Sequence, residues 1–312
     1  MTEEIKVALI GLDRSYTVEF VRRMQASDRP CDQRIEGLRA TACLRFPTPF
    51  YDEKGLATRQ KLLENWGVRI TTRFEDAVAG CGAVMIEIND PARHLEYFTR
   101  CAALGQRIFL DKPLADTPAG GRAIRQLARE RNTEFFSASR PRFVPRLAAA
   151  CAAVPTPVFA AMYGPLGQAL AGSSIVWYGV HTFEMLQLAM GRGAESIWVR
   201  KHATGLAAVV GYNNNRHAVV ELNRDAWQYG GCLHDRQKAV PFAAETGRMY
   251  TDLLGRVAEF FKGGPCPVPP ENTLEIMATL DATQHSFDSG AEERLDGQTG
   301  RCSRFRSKMR GH

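Results

Sequence analysis

Along the first half of the chain, short apolar runs alternate with segments whose apolar residues recur at helical spacing. The runs at residues 6–10, 38–46, 68–72, 83–88, 107–110 and 134–138 have the length and apolar content of strands, and 107–110 reads as a buried one. Between them, residues 17–25, 56–66, 74–79, 94–104 and 119–131 predict helices. In 17–25 Val18, Val21 and Met24 recur at helical spacing, and in 94–104 Leu95, Phe98, Cys101 and Ala102 share one face. Strict alternation of this kind predicts a parallel, doubly wound sheet with right-handed crossovers.

The rhythm changes at Arg142-Phe143-Val144-Pro145. A helix at 146–153 is followed by longer strand-like runs at 158–163, 194–200, 206–212 and 218–222. Several of their connections are too short for helical crossovers, which predicts a mostly antiparallel sheet. Helices are expected at 181–190, 249–261 and 272–286, with a Gly/Pro-rich loop at 263–267. The expected fold class is α/β: a nucleotide-binding domain over residues 1–143, an α+β domain with an open sheet over 144–295, and a disordered basic tail over 296–312.

Composition narrows the function classes. A chain of 312 residues, 45% hydrophobic and 24% charged, suits a globular protein of two domains. No apolar run approaches the roughly 20 residues that cross a bilayer, so no membrane partner is expected. The first residues show no basic segment leading into an apolar one, so a cytoplasmic location is expected. The eight cysteines are scattered without a Cys-x-x-Cys pair, which predicts reduced thiols and no metal site. Part of the net charge of +6 lies in Arg301, Arg304, Arg306, Lys308 and Arg310; without aromatic-interleaved basic surface, no nucleic-acid partner is expected.

Four segments carry candidate chemistry. The first run leads into Gly11-Leu12-Asp13-Arg14-Ser15-Tyr16, a strand–turn–helix context that suits a dinucleotide. Gly11 supplies the tight turn, but Asp13 and Tyr16 stand where the second and third glycines would be. Arg14 and Ser15 are candidates for phosphate contact, Asp13 would repel phosphate, and Asp13 or Ser15 could instead cap the helix. The second run ends near Arg45 with no acidic residue, which leans towards NADP over NAD. The third segment, Asn89-Asp90-Pro91-x-x-His94, starts a helix on the cofactor edge; a surface position is the default for His94. Residues 107–110 lead into Asp111-Lys112-Pro113, which puts a lysine at the carboxyl end of a buried strand, where ligands bind in open α/β sheets. Last, Trp177-Tyr178-Gly179-Val180-His181 opens an amphipathic helix. A histidine beside the positive end of the helix dipole suits a neutral acid–base role, although on this segment alone a structural hydrogen-bonder is the commoner reading.

In order and spacing these segments resemble the glucose-fructose oxidoreductase / inositol dehydrogenase / rhizopine-catabolism (Gfo/Idh/MocA) family. The resemblance runs from about residue 6 to residue 295. It is most specific at Pro91-x-x-His94, Ala103-Leu104-Gly105, Asp111-Lys112-Pro113-Leu114-Ala115 and Gly179-Val180-His181. It implies a Rossmann domain, a C-terminal domain whose sheet makes a homodimer or homotetramer, and NAD(P)-dependent chemistry on a hydroxyl or carbonyl group of a sugar, polyol or related small molecule. Carried over, Lys112 holds or polarises the substrate oxygen, Asp111 orients the lysine, and His181 is the acid–base group. Gly11, Asp13, Arg14, Ser15, Arg45, Asn89, Pro91, His94 and Lys112 fall on the cofactor side, and Trp177, Tyr178 and Arg140 on the substrate side. Surface placement is the simpler reading of Arg140 and Arg142. The chain departs from the pattern at Trp177, where the family has an aspartate. That departure keeps two alternatives in view: a lyase, hydrolase or isomerase using the same site, and a non-catalytic nucleotide-binding protein.

Overall fold

Six parallel strands form the first sheet, in the order β3-β2-β1-β4-β5-β6: β1 (Ile5–Ile10), β2 (Leu38–Leu44), β3 (Arg69–Thr71), β4 (Ala83–Ile86), β5 (Arg107–Leu110) and β6 (Phe135–Ser137). The computed structural model describes residues 4–295 and 302–303. The strand order reverses direction at β1, so the crevice between the carboxyl ends of β1 and β4 is the topological switch point where such sheets bind ligands. The central strands read as nearly continuous apolar runs because both faces are covered; every residue of β4 is buried, whereas the edge strand β3 has no buried residue.

The helices of this unit are α1 (Ser15–Gln25), α2 (Glu53–Asn65), α3 (Phe74–Val78), α4 (His94–Ala102), α5 (Pro118–Glu130) and α8 (Met249–Phe261). Asp52 caps α2 by accepting from the Gly55 N–H, and Thr117 caps α5 by accepting from Gly120. Residues 245–273 belong with 1–143, which corrects the expected boundary. The reason is the apolar face of α8: Leu253, Leu254, Val257 and Phe260 are buried in the same core as Val7, Leu9, Phe20, Phe109 and Phe136. The rings of Phe109 and Phe136 lie 5.1 Å apart, and Phe260 meets Phe136 edge-on at 5.2 Å. Each such pair adds about 0.5–1.5 kcal/mol beyond its buried area.

The second unit, residues 144–244 and 274–312, holds an eight-stranded sheet in the order β12-β11-β7-β10-β9-β8-β13-β14. Its strands are β7 (Phe159–Pro165), β8 (Ala194–His202), β9 (Gly205–Tyr212), β10 (His217–Asn223), β11 (Gly230–His234), β12 (Ala239–Ala243), β13 (Glu293–Leu295) and β14 (Cys302–Ser303). Among the described residues, only β7 and β10 pair in parallel in this sheet; the other pairs are antiparallel, as expected. Strands β11, β12, β13 and β14 have no counterpart among the expected runs. Packing explains the glycine that hides β11: a Cβ on Gly231 would lie 2.3 Å from the Ala161 carbonyl oxygen of the neighbouring strand. Helices α6 (Pro145–Ala153) and α7 (Val180–Met190) pack on this sheet, and α9 spans Pro270–Ser289. Apart from 302–303, the basic tail expected at 296–312 lies outside the described residues. Among the described residues, no helix is long and apolar enough to cross a membrane, and no group of His, Cys, Asp and Glu is placed to hold a metal ion.

Candidate functional site

The carboxyl ends of β1, β2, β4 and β5 gather one polar network. Gly11 turns the chain after β1 with φ +108°, a conformation that favours glycine. A Cβ there would lie 2.4 Å from the Glu87 carbonyl oxygen, so the turn sits directly against the end of β4. The Gly11 N–H donates to the Leu44 carbonyl at the end of β2 (3.1 Å), and the Glu87 N–H donates to the Ile10 carbonyl (2.8 Å).

Arg14 links these tips. Its Nε donates to Asp111 Oδ2, its Nη1 to Asn89 Oδ1 (2.8 Å), and its Nη2 to the Lys112 carbonyl oxygen (3.4 Å). The side chain is 11% exposed. Burial, the largest single effect, opposes its charge, but Asp111, Tyr16 and Glu87 together outweigh it and hold the guanidinium pKa above its ordinary value. Phosphate contact by Arg14 does not fit this placement, because its donors face the strand tips. Asp111 also accepts the Lys112 N–H with Oδ1 at 2.7 Å. The Lys112 main chain is thus held on both sides, by Asp111 at the N–H and by Arg14 at the carbonyl, and its side chain is buried. Asp111 was expected to orient the lysine; here the named contact is to the Lys112 main chain. The Lys112–Pro113 peptide bond is cis.

Asp13 is buried, and its carboxylate faces inward. It accepts from Thr48 Oγ1 (2.8 Å) and from the Asn89 N–H (3.2 Å), while Asn89 Nδ2 donates to the Asp13 carbonyl (2.9 Å). Burial raises its pKa despite these donors. The expected repulsion of phosphate by Asp13 is therefore muted, and so is its expected role as a cap. The residue preceding α1 is Arg14, which makes no side-chain cap, and Ser15 is the first helical residue, its Oγ 3.1 Å from Tyr250 Oη. Tyr16, in place of the third glycine, packs on Phe20 and edge-on against Tyr250.

His94 is fully buried, not on the surface. Its Nδ1 lies 3.1 Å from the Leu114 carbonyl oxygen and its Nε2 3.0 Å from that of Ile88, so the ring ties the end of β4 to the chain after Pro113. Burial lowers its pKa, although both carbonyls favour the protonated ring. Pro91 opens a short 3-10 turn (Pro91–Arg93) that Asp90 caps at the Ala92 N–H. Arg45 donates to Glu53 Oε1 and Gln60 Oε1, so the structural basis for a lean towards NADP is gone. Arg140 stacks its guanidinium 4.5 Å from the Tyr250 ring centre, and Arg142 is buried, so neither fits the simple surface reading.

Sequence reasoning passed over Glu87. Its side chain is fully buried, and neither carboxyl oxygen has a hydrogen-bond partner. Burial, reinforced by Asp111 and opposed by Arg14, holds its pKa well above the usual carboxylate range. The available signal was a lone acidic residue inside the apolar run Ile86-Glu87-Ile88. An acid neutral in the folded state and ionised in the unfolded chain loses folding stability as pH rises above its unfolded value of about 4.3. Glu87→Gln, which stays neutral, is therefore expected to melt progressively higher than wild type between about pH 5 and about pH 8. Parallel pH profiles of the two melting temperatures would show that Glu87 is ionised in the folded protein.

In the second unit, His181 lies near the start of α7 and is buried. A π-helical turn (Ile175–Gly179) runs directly into α7, so helical chain precedes His181 by more than a turn. The dipole argument for a neutral histidine therefore falls away. The ring of His181 meets Tyr229 edge-on at 5.6 Å. Trp177 and Tyr178 lie on the π turn; such turns recur at functional sites. Tyr178 packs edge-on against Trp227 and over Gly167, where a Cβ would lie 2.3 Å from the ring.

No family model and no curated protein sequence matches the chain. Solved structures do. Scyllo-inositol dehydrogenase from Lactobacillus casei, with bound NAD(H) and scyllo-inositol, is similar with a TM-score of 0.76 at 14% identity, over 94% of this chain and 99% of that one. GenD2 from gentamicin A biosynthesis, in complex with NAD, gives 0.77 at 14% identity, over 95% and 97%. Myo-inositol 2-dehydrogenase from Lactobacillus plantarum gives 0.77 at 15% identity, over 93% and 99%. Identities this low establish architecture, and over nearly its whole length the chain has the fold of these dehydrogenases.

Proposed function

We propose that the protein is an NAD(P)-dependent oxidoreductase acting on a hydroxyl or carbonyl group of a sugar, polyol or related small molecule. The observation that carries this reading is the polar network at the switch point, where the Gly11 turn, Arg14, Asp111 and Lys112 meet at the carboxyl ends of adjacent strands. The residues fit a dinucleotide. Gly11 makes the tight turn with φ +108°, α1 begins without a side-chain cap, and the Asp13 carboxylate is drawn inward to Thr48 and Asn89. Similarity to the inositol dehydrogenases and to GenD2, two of these structures carrying NAD or NAD(H), supports both the cofactor and the substrate class.

When bound, the nicotinamide supplies hydride acceptance or donation. The protein supplies the rest. The uncapped start of α1 offers N–H groups to the cofactor's phosphates. Lys112, on a peptide fixed by Asp111 and Arg14, holds the substrate oxygen with its Nζ. His181 takes or returns the hydroxyl proton. The test is a panel of polyols and sugars incubated with NAD or NADP, read at the absorbance band of the reduced nicotinamide. Substrate-dependent reduction of the cofactor is expected. Conversion of substrate with no net change in that band would move the reading to the lyase, hydrolase or isomerase alternative. Absence of nucleotide binding by calorimetry would overturn it.

A further inference from the structure

The wall beside the phosphate turn carries a built arrangement that the reading above does not use. Leu44, the last residue of β2, accepts the Gly11 N–H at 3.1 Å, so the next residue, Arg45, stands at the edge of the turn. Its backbone N–H is fixed to the Thr71 carbonyl at 2.8 Å, and its side chain is mostly buried. The guanidinium donates through Nη1 to Gln60 Oε1 and through Nη2 to Glu53 Oε1, both on α2. Glu53, at the first position of α2, is 80% exposed. The same helix reaches the turn a second time, since Arg59 Nη1 donates to the Leu12 carbonyl at 3.0 Å while its guanidinium covers the Tyr51 ring at 3.9 Å.

An acidic group at the end of the second strand accepts from a ribose 2′-hydroxyl, and a free arginine there receives a 2′-phosphate. This chain places no acid directly after β2, yet it brings one back from α2. Arg45 is the cation that a 2′-phosphate would need, and it is turned to Gln60 and Glu53. Glu53 is thus an exposed carboxylate paired with Arg45, on a helix that touches the turn through Arg59; a carboxylate accepts from a hydroxyl and repels a phosphate.

We propose that Glu53, held by Arg45, is the selectivity residue of the nucleotide site and favours a dinucleotide with a free ribose 2′-hydroxyl over its 2′-phosphorylated counterpart. This rests on the dinucleotide-binding reading above. The experiment titrates NADH and NADPH separately into the full-length protein and follows nicotinamide fluorescence, for wild type and for Glu53→Gln. Wild type is expected to bind NADH at least about tenfold more tightly than NADPH, the worth of one charge-assisted hydrogen bond. Glu53→Gln removes the carboxylate and releases Arg45, and is expected to shrink that ratio by at least about fivefold, with most of the change in NADPH affinity. Equal or tighter binding of NADPH by wild type overturns the proposal, as does an unchanged ratio in Glu53→Gln. Binding of neither nucleotide is a separate result and overturns the dinucleotide-binding reading on which the proposal stands.

Discussion

Replacing Arg14 with methionine is expected to destabilise the protein by about 3–5 kcal/mol, the cost of stranding one partner of a buried ion pair. Methionine roughly matches the stem of the arginine, so the loss reflects charge and hydrogen bonding more than volume. The residue left behind is Asp111, whose carboxylate is fully buried and would keep only the Lys112 N–H among its named partners. Asn89 Oδ1 and the Lys112 carbonyl oxygen would lose donors as well. One control separates this from a packing defect. The double variant Arg14→Met/Asp111→Asn is expected to recover part of the stability lost by Arg14→Met alone. Denaturant titrations of the four proteins measure this coupling, and an Arg14→Met variant within about 0.5 kcal/mol of wild type would sink the assignment.

The parts of this molecule that were legible in its sequence are those governed by periodicity. The six parallel strands, the change of rhythm at residue 144 and the antiparallel sheet follow from apolar runs and short connections. Sequence order gives no warning that α8 returns to the first unit, because an amphipathic helix records that it buries one face and not which sheet it covers. Strand β11 escaped notice because close approach to β7 requires glycine, a residue that reads as a loop. The candidate site was legible as a set of residues and not as a set of contacts. Arg14 and Asp111 are 97 residues apart and were both singled out, but nothing local says that they pair. The same holds for Asp13, whose carboxylate faces inward only because Thr48 and Asn89 supply donors. His94 looked like a surface residue because both of its acceptors are main-chain carbonyls, which leave no mark in side-chain composition.

Lys112 is where the fold and the proposed chemistry can be tested separately. Lys112→Ala is expected to lower turnover by at least about a hundredfold, the scale of one proton-handling or charge-bearing group at the reacting oxygen, and His181→Ala by a similar factor. Folding should survive in Lys112→Ala, because the contacts that tie this residue to Asp111 and Arg14 run through its main-chain N–H and carbonyl, which alanine retains. The melting temperature of Lys112→Ala is therefore expected to stay far closer to wild type than that of Arg14→Met, although Arg14 contributes no group to the proposed proton transfer. The arginine variant should lose stability and, by loosening the Lys112 peptide, some turnover; the lysine variant should lose turnover with little stability. Steady-state rates and thermal melts on the same preparations compare the two. If Lys112→Ala and His181→Ala both turn over like wild type, the chemistry is carried by other residues. If Lys112→Ala unfolds as Arg14→Met does, the buried lysine side chain serves the strand tips and not the substrate.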